Sequence, residues 1–393
     1  MRRAGLELLN LWNPLNLLNS SLTALTLLFF CASAAAQPSP GGKPFRKIQR
    51  YLDDATASGL TGVVVHIQEG PSGVWIGSAG YVDNKTQERV DKDHIFSLAS
   101  VGKMYTAVAA MKLVEQGTLG IDDMISKYLP AEIIRNLPNG SKVSIRHLLG
   151  HTSGWQNYDS DSALNRLYLS GKLKLDTLTH LNALRRYAYG KPALAEPGKA
   201  YHYSSTNYLV LAMIIDRVVP EGHTVYLRNM LAAHGLTNTY YRESPPARNV
   251  HYYGDLNLDG VVEDLTPQTF ETTNWFAGDD GVYAPAAEAA RFIRRLMKDS
   301  ILHPATLTLM KTGNIGIKND TGLGLMADKS FPYGQLYGHS GRGIGTTADV
   351  YFFPKRDLSV VILTNTGLRA SSPKFKKAYL KMRSKIVKKL FLF

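Results

Sequence analysis

Cysteine is nearly absent: Cys31 is the only one in 393 residues. It lies inside a 15-residue apolar run from Leu22 to Ala36, LTALTLLFFCASAAA. Arg2 and Arg3 precede the run, and Ala34-Ala35-Ala36 closes it before Gln37. That order describes a secretory signal peptide over residues 1–36, with a secreted or periplasmic destination. The run is short for a membrane span. A lipid anchor on Cys31 is the alternative, and the bulky Phe30 before it argues against that. Cleavage after Ala36 leaves a chain without cysteine, which excludes a disulfide framework and every thiol nucleophile. Repeats, low-complexity tracts and nucleic-acid module signatures are also lacking, so no nucleic-acid partner is expected.

What is present is ordinary globular composition with a basic excess. The formal net charge is +13. Much of it is local, because KFKKAYLKMRSKIVKKLFLF, residues 374–393, holds eight Lys and Arg and no acid. The segment reads as a terminal helix with a packed face and a solvated basic face. The other reading is attraction to an anionic membrane surface or cell-wall polymer.

The pattern of elements indicates α+β. Residues 44–58 read as an amphipathic helix, and TGVVVHIQEG and GVWIGSAGYVD as strands parted by a Pro-Ser-Gly turn. The end of the chain is strand-rich: TGLGLMADK, QLYGHSGRGIGTTADVYFFPK and LSVVILTNTG, then a last helix. Helical and loop segments fill the middle. Strands at both ends with helices between predict an antiparallel sheet built from both termini and flanked by helices, plus an inserted, mainly helical subdomain. The single domain would span residues 37–393. Its α/β part covers about 44–115 and 285–393, and its helical part about 116–284.

Three motifs carry chemistry. Ser100-Val101-Gly102-Lys103 follows a predicted strand end, HIFSLA, and opens an apolar helix that runs to Gly117. On a helix, positions three apart share a face, so Lys103 reaches the Ser100 hydroxyl. A hydroxyl needs a base to become a nucleophile, and a lysine serves where burial or a cationic neighbour lowers its pKa. The bland alternative is an N-cap serine with a solvated lysine. A second Ser-x-x-Lys, Ser371 to Lys374, is broken by Pro373. Tyr203, in PGKAYHYSSTNYLVLAMIID, sits in a polar turn before an apolar helix, where a phenol can shuttle protons. His339-Ser340-Gly341 opens a strand whose glycines permit close approach to a ligand.

Together these blocks resemble the penicillin-recognising serine hydrolases: class C β-lactamases, D-Ala-D-Ala carboxypeptidases, and related esterases and D-amino-acid amidases. IFSLASVGKMYTAVAAMKLVEQGTLGIDDMISKYLP and VSIRHLLGHTSGW extend the likeness, which covers about residues 45–370. The resemblance implies a β-lactamase/transpeptidase-like fold and acyl transfer to serine. It implies Ser100 as nucleophile, Lys103 as its base partner and Tyr203 as proton relay. The strand at His339, Ser340 and Gly341 would bind substrate, and the oxyanion hole would use the N–H groups of Ser100 and Arg342. No cofactor or metal is implied. The substrate would be a small molecule or peptide with an amide or ester bond. A β-lactamase, or a penicillin-binding sensor that does not hydrolyse, is the alternative.

Two departures stand out. Ser205 replaces the asparagine of the family's Tyr-x-Asn, which puts amide recognition in doubt. His339 replaces the lysine of Lys-Thr-Gly, so the permanent cation for a substrate carboxylate is lost, unless Arg342 supplies a fixed charge.

Other signals are decoys. Lys311-Thr312-Gly313 reads as a helix end. His147 and His151 lack the glutamate of the zinc-protease pattern. DLNLDG, from Asp255, begins like a calcium loop, but Thr266 stands where its bidentate acid belongs. Trp155, Trp275 and Phe276 line the cleft or belong to the core.

Overall fold

The computed structural model describes residues 43–392, except 171–178, 299, 315, 319, 330 and 370. The leader expected over residues 1–36 lies outside the described residues. The N-terminal part supplies α1 (Lys43–Ala57), β1 (Gly62–Glu69), β2 (Gly73–Gly80), β3 (Phe96–Ser97) and α2 (Gly102–Glu115). The middle holds α3 (Ala131–Asn136), α4 (Ile145–Leu149), α5 (Ser162–Leu169), α6 (His180–Tyr187), α7 (Ser205–Val218) and α8 (Gly222–Ala233). Then come β4 (Tyr240–Tyr241), β5 (Tyr253–Gly254), β6 (Glu263–Asp264), α9 (Thr266–Trp275) and β7 (Val282–Ala284). The C-terminal part is α10 (Ala286–Met297), α11 (Pro304–Thr312), β8 (Tyr337–Arg342), β9 (Thr347–Phe353), β10 (Leu358–Thr364) and α12 (Pro373–Phe391).

The main sheet has the order β2-β1-β10-β9-β8, all antiparallel. β1 pairs with β10, Val63 against Thr364, so the two ends of the chain are joined at the sheet's centre. This is the sheet anticipated from the sequence. Both of its faces are covered, which is why β1 and β10 carry consecutive apolar residues, Val63 to Val65 and Val360 to Leu363, rather than alternating ones. Val64, Val350, Val361 and Leu363 pack with α2 and α10. Val63, Val65, Val360 and Ile362 face the other way, onto α1 and α12.

One expectation needs correction. The stretch TGLGLMADK, residues 321–329, forms no strand. It makes single bridges, Thr321 to Met326 and Met326 to Gly338. Gly324 there has φ +74°, a left-handed turn conformation that breaks extended pairing. The part expected to be mainly helical also carries short strands. One of them, β7, joins β3 and β4 in a three-stranded sheet. Pairing of Phe96 with Ala284 and Ser97 with Tyr283 lays the segment before β7 beside the start of α2.

Candidate active site

Ser100 stands in a single 3-10 turn, Ala99–Val101, that runs into α2. Ala99 before it has φ +47°, a conformation that costs an alanine free energy and persists only when the surroundings impose it. They do so here. Leu98 N–H donates to Val282 O at 2.8 Å, and the Thr346 hydroxyl donates to Ser97 O at 2.7 Å. Ser100 N–H belongs to the first turn, whose donors have no partner within the helix.

One turn on, Lys103 is fully buried. Its ammonium donates to Asp279 O at 2.9 Å and lies 3.4 Å from Ser100 Oγ and 4.0 Å from the Asp279 carboxylate. It also hydrogen-bonds to Tyr203. Burial works against the charge, but the Tyr203 oxygen and the Asp279 carboxylate outweigh it and hold Lys103 above its usual range. That is the reverse of the lowered pKa a lysine base requires. Tyr203 is 37% exposed, so the three groups meet at the surface of the cleft.

His151 supports Tyr203. The two rings are 4.4 Å apart, and His151 Nδ1 accepts the Ser204 N–H at 3.2 Å. Burial and the Lys103 charge hold this imidazole neutral, with its pKa well below the ordinary value. His147 is likewise occupied, its Nδ1 accepting Ser144 N–H in a helix cap. Among the described residues no three His, Cys, Asp or Glu gather as a metal site. Asp255 anchors its own turn by accepting N–H groups of Asp259, Gly260 and Ser372.

β8 forms the other wall. An added Cβ at Gly341 would lie 2.1 Å from Leu98 O, so only glycine lets the strand approach the Ser100 turn. Gly343 N–H donates to Thr346 O at 2.9 Å, and Gly338 exchanges bonds with Met326 on the opposite side. Ladder bonds alternate along an antiparallel strand. The N–H groups of Ser340 and Arg342 therefore point off the open edge of the sheet, beside the Ser100 turn. This is the placement that the oxyanion role needs.

The side chains of β8 depart from expectation. The Arg342 guanidinium, offered as a fixed charge for substrate, is committed elsewhere. It donates to Asp349 at 2.8 Å, to Gly341 O at 2.7 Å and to Ala348 O at 2.9 Å, and lies over the Tyr379 ring. Ser340 Oγ donates to the same Asp349 at 2.6 Å. Strand alternation explains both: with Gly341 facing the Ser100 turn, its neighbours face α12. His339 is buried, and burial together with the Lys103 charge lowers its pKa to about 4, so it is neutral at pH 7 rather than partly charged.

Ser205 takes part indirectly. Its N–H donates to Asn157 Oδ1 at 2.9 Å, and its hydroxyl bonds to Asp279. Sequence reasoning missed Asp279, together with Tyr158, whose hydroxyl is 3.3 Å from both Asp279 carboxylate oxygens. The signal was the acid pair in Ala-Gly-Asp-Asp-Gly, residues 277–281. Trp155, Trp275 and Phe276 are core residues, each at most 6% exposed. Lys311-Thr312-Gly313 closes α11, as the sequence indicated.

Known proteins are similar to this chain in sequence and in fold. The Beta-lactamase family model matches residues 46–381. Penicillin-binding protein 4* of Bacillus subtilis (strain 168) is 26% identical over 305 residues, covering 73% of this chain. The match spans 64% of that relative's length, just under two thirds. Esterase EstB of Burkholderia gladioli is 26% identical over 339 residues, covering 75% of this chain and 83% of the esterase. D-amino acid amidase from Ochrobactrum anthropi SV3 superposes with a TM-score of 0.74 at 22% identity, over 89% of this chain and 99% of that one. D-stereospecific amidohydrolase from Streptomyces sp. gives a TM-score of 0.72 at 25% identity, over 85% and 97%. With the family model covering most of its length, the chain belongs to the Beta-lactamase family.

Proposed function

We propose that this chain is a serine hydrolase that cleaves amide or ester bonds of small-molecule or peptide substrates through an acyl-Ser100 intermediate. The observation that carries the reading is the contact of Ser100, Lys103 and Tyr203 beside the outward N–H groups of β8. Ser100 Oγ attacks the carbonyl carbon. Its proton enters the Lys103–Tyr203 pair and is returned to the leaving nitrogen or oxygen. The carbonyl oxygen takes up negative charge between the Ser100 and Arg342 N–H groups. Water then repeats the sequence and frees the acid.

The charges around β8 support a substrate without a free carboxylate there. His339 is neutral, and Arg342 is matched by Asp349. A D-aminoacyl amide or ester suits this wall better than a peptide ending in D-Ala-D-Ala or a penicillin. Turnover of a D-aminoacyl nitroanilide and a nitrophenyl ester, set beside an acyl-D-Ala-D-Ala peptide, tests this. The two substrates without a carboxylate are expected to lead in kcat/KM by at least about tenfold, the effect of one lost charge pair. Preference for the carboxylate substrate would overturn the reading. Penicillin consumption would move it to a β-lactamase. A lasting adduct with no turnover on any substrate would move it to a binding protein.

We also infer work outside the cytoplasm, next to an anionic membrane surface. The support is the apolar run before Gln37 and the exposed Lys376, Lys377, Lys381 and Lys388 on α12. The opposite face of α12 packs Phe375, Tyr379, Met382 and Ile386 into the core, so truncation would damage the fold. Charge reversal is the cleaner test. Lys→Glu at 376, 377 and 381 together should lower sedimentation with phosphatidylglycerol vesicles by about 100-fold or more, at roughly 1 kcal/mol per lysine. Unchanged sedimentation would refute the association.

A further inference from the structure

Asp279 sits under the catalytic groups, 3% exposed, where it is expensive to keep a charge. It reaches Lys103 twice, through its carbonyl oxygen at 2.9 Å and its carboxylate at 4.0 Å. Its segment is pressed on α2: an added Cβ at Gly102 would lie 2.7 Å from Asp280 O. Groups face it from every side. Lys103 comes from α2, Ser205 from α7, and Tyr158 and Asp159 from the 158–160 turn. Asp159 is bridged to Arg369 at 2.9 Å, which leaves Lys103 as the cation in direct contact. The Tyr241 hydroxyl accepts the N–H of Gly278 next door. Asp280, beside it, is pushed by burial up to about 8 and is neutral at pH 7. His151 and His339, which burial and the Lys103 charge hold below the ordinary imidazole value, are neutral as well. The buried charge at the site is thus one ammonium and one carboxylate.

We propose that Asp279 is a positioning residue: its carboxylate keeps Lys103 an ammonium, so the Ser100 proton passes to Tyr203 and not to Lys103. This rests on the acyl-Ser100 reading. In the step, the Ser100 O–H bond breaks as Oγ bonds to the carbonyl carbon. Tyr203 Oη accepts that proton while giving its own to the leaving nitrogen or oxygen, whose bond to carbon breaks. Lys103 gives up no proton. It donates hydrogen bonds to Ser100 Oγ and Tyr203 Oη and stabilises the charge that develops between them. Ser205, standing where relatives have asparagine, then acts by holding the Asp279 carboxylate.

The step needs Lys103 as an ammonium, so kcat/KM on a nitrophenyl ester should fall only on a basic limb, where Lys103 gives up its proton. Protonation of Asp279 near pH 6 leaves Lys103 an ammonium, because the medium is then far below the lysine range. Asp279→Asn should move the basic limb down by at least about one pH unit, with KM little changed. Asp279→Glu should restore the limb, and Asp280→Asn should leave it in place. A basic limb unmoved in Asp279→Asn overturns the proposal, as does a wild-type basic limb well below about pH 10.

Titration of the Lys103 side chain by carbon NMR, assigned with Lys103→Arg, needs no turnover. Lys103 should stay an ammonium through pH 10 in the wild type and titrate at least about one unit lower in Asp279→Asn. Equal titration in the two overturns the proposal. Should Asp279→Asn fail to fold, the Glu variant and the wild-type limb still decide it. Absence of any acyl-Ser100 species would defeat the acyl-Ser100 reading, whereas turnover through Ser100 with an indifferent Asp279 would defeat this inference alone.

Discussion

Ser100→Ala should fold like the wild type and lose at least about 1,000-fold in kcat/KM on an ester, as removal of a hydrolytic serine does elsewhere. The Ser100 hydroxyl has one close partner, Lys103 Nζ at 3.4 Å, so its loss leaves no buried group stranded. The strained Ala99 and the bonds that pin Leu98 and Ser97 are backbone features and survive the change. Stability and activity should separate: an unchanged melting temperature with turnover near background. The residual rate reports what the Ser100 and Arg342 N–H groups do without a nucleophile. Retained turnover would mean that another group attacks the substrate, and the role given to Ser100 would be wrong.

Gly341→Ala should lower kcat by about 100-fold, through geometry rather than chemistry, because small misplacements of reacting groups cost that much. The new methyl carbon would meet Leu98 O at 2.1 Å and Ala99 Cβ at 3.1 Å. One is a backbone oxygen and the other a methyl fixed to the backbone that presents Ser100, so no flexible side chain can swing aside. β8 must retreat from the turn, and the Arg342 N–H retreats with it. Overpacking of this kind also costs about 1–3 kcal/mol of stability. A melting curve beside the kinetics separates the two effects. Unchanged kcat would show that β8 does not set the distance to the acyl group.

The fold was legible because its signals are local. Short clusters of Val, Ile and Trp flanked by Gly turns name β1 and β2, and the same logic names β9 and β10. The failure at residues 321–329 has the same origin: alternating apolar residues look like a strand until Gly324 turns left-handed. Ser100, Lys103 and Tyr203 were legible from spacing and from the family blocks around them. Asp279 was not, since its contact with Lys103 crosses 176 positions of chain. Nor could the sequence say that Arg342 is matched. Its partner Asp349 lies on the next strand, and only the register of β8 against β9 makes them neighbours.

The order β2-β1-β10-β9-β8 also sets a timetable for synthesis. β8 carries one wall of the cleft, yet within the sheet it is joined to β1 and β2 only across β10 and β9. Thr364 pairs with Val63, and β1 must wait as an unpaired apolar edge until nearly the whole chain has been made. The serine-bearing helix emerges early, but the strand that would hold a substrate against it is last into place. A nascent chain is thus inert toward the bonds its finished form would cut, and a product cut short before β10 stays inert. The same topology leaves one edge of β1 bare until β10 arrives, and an unpaired strand edge is the kind of surface on which unfinished chains associate.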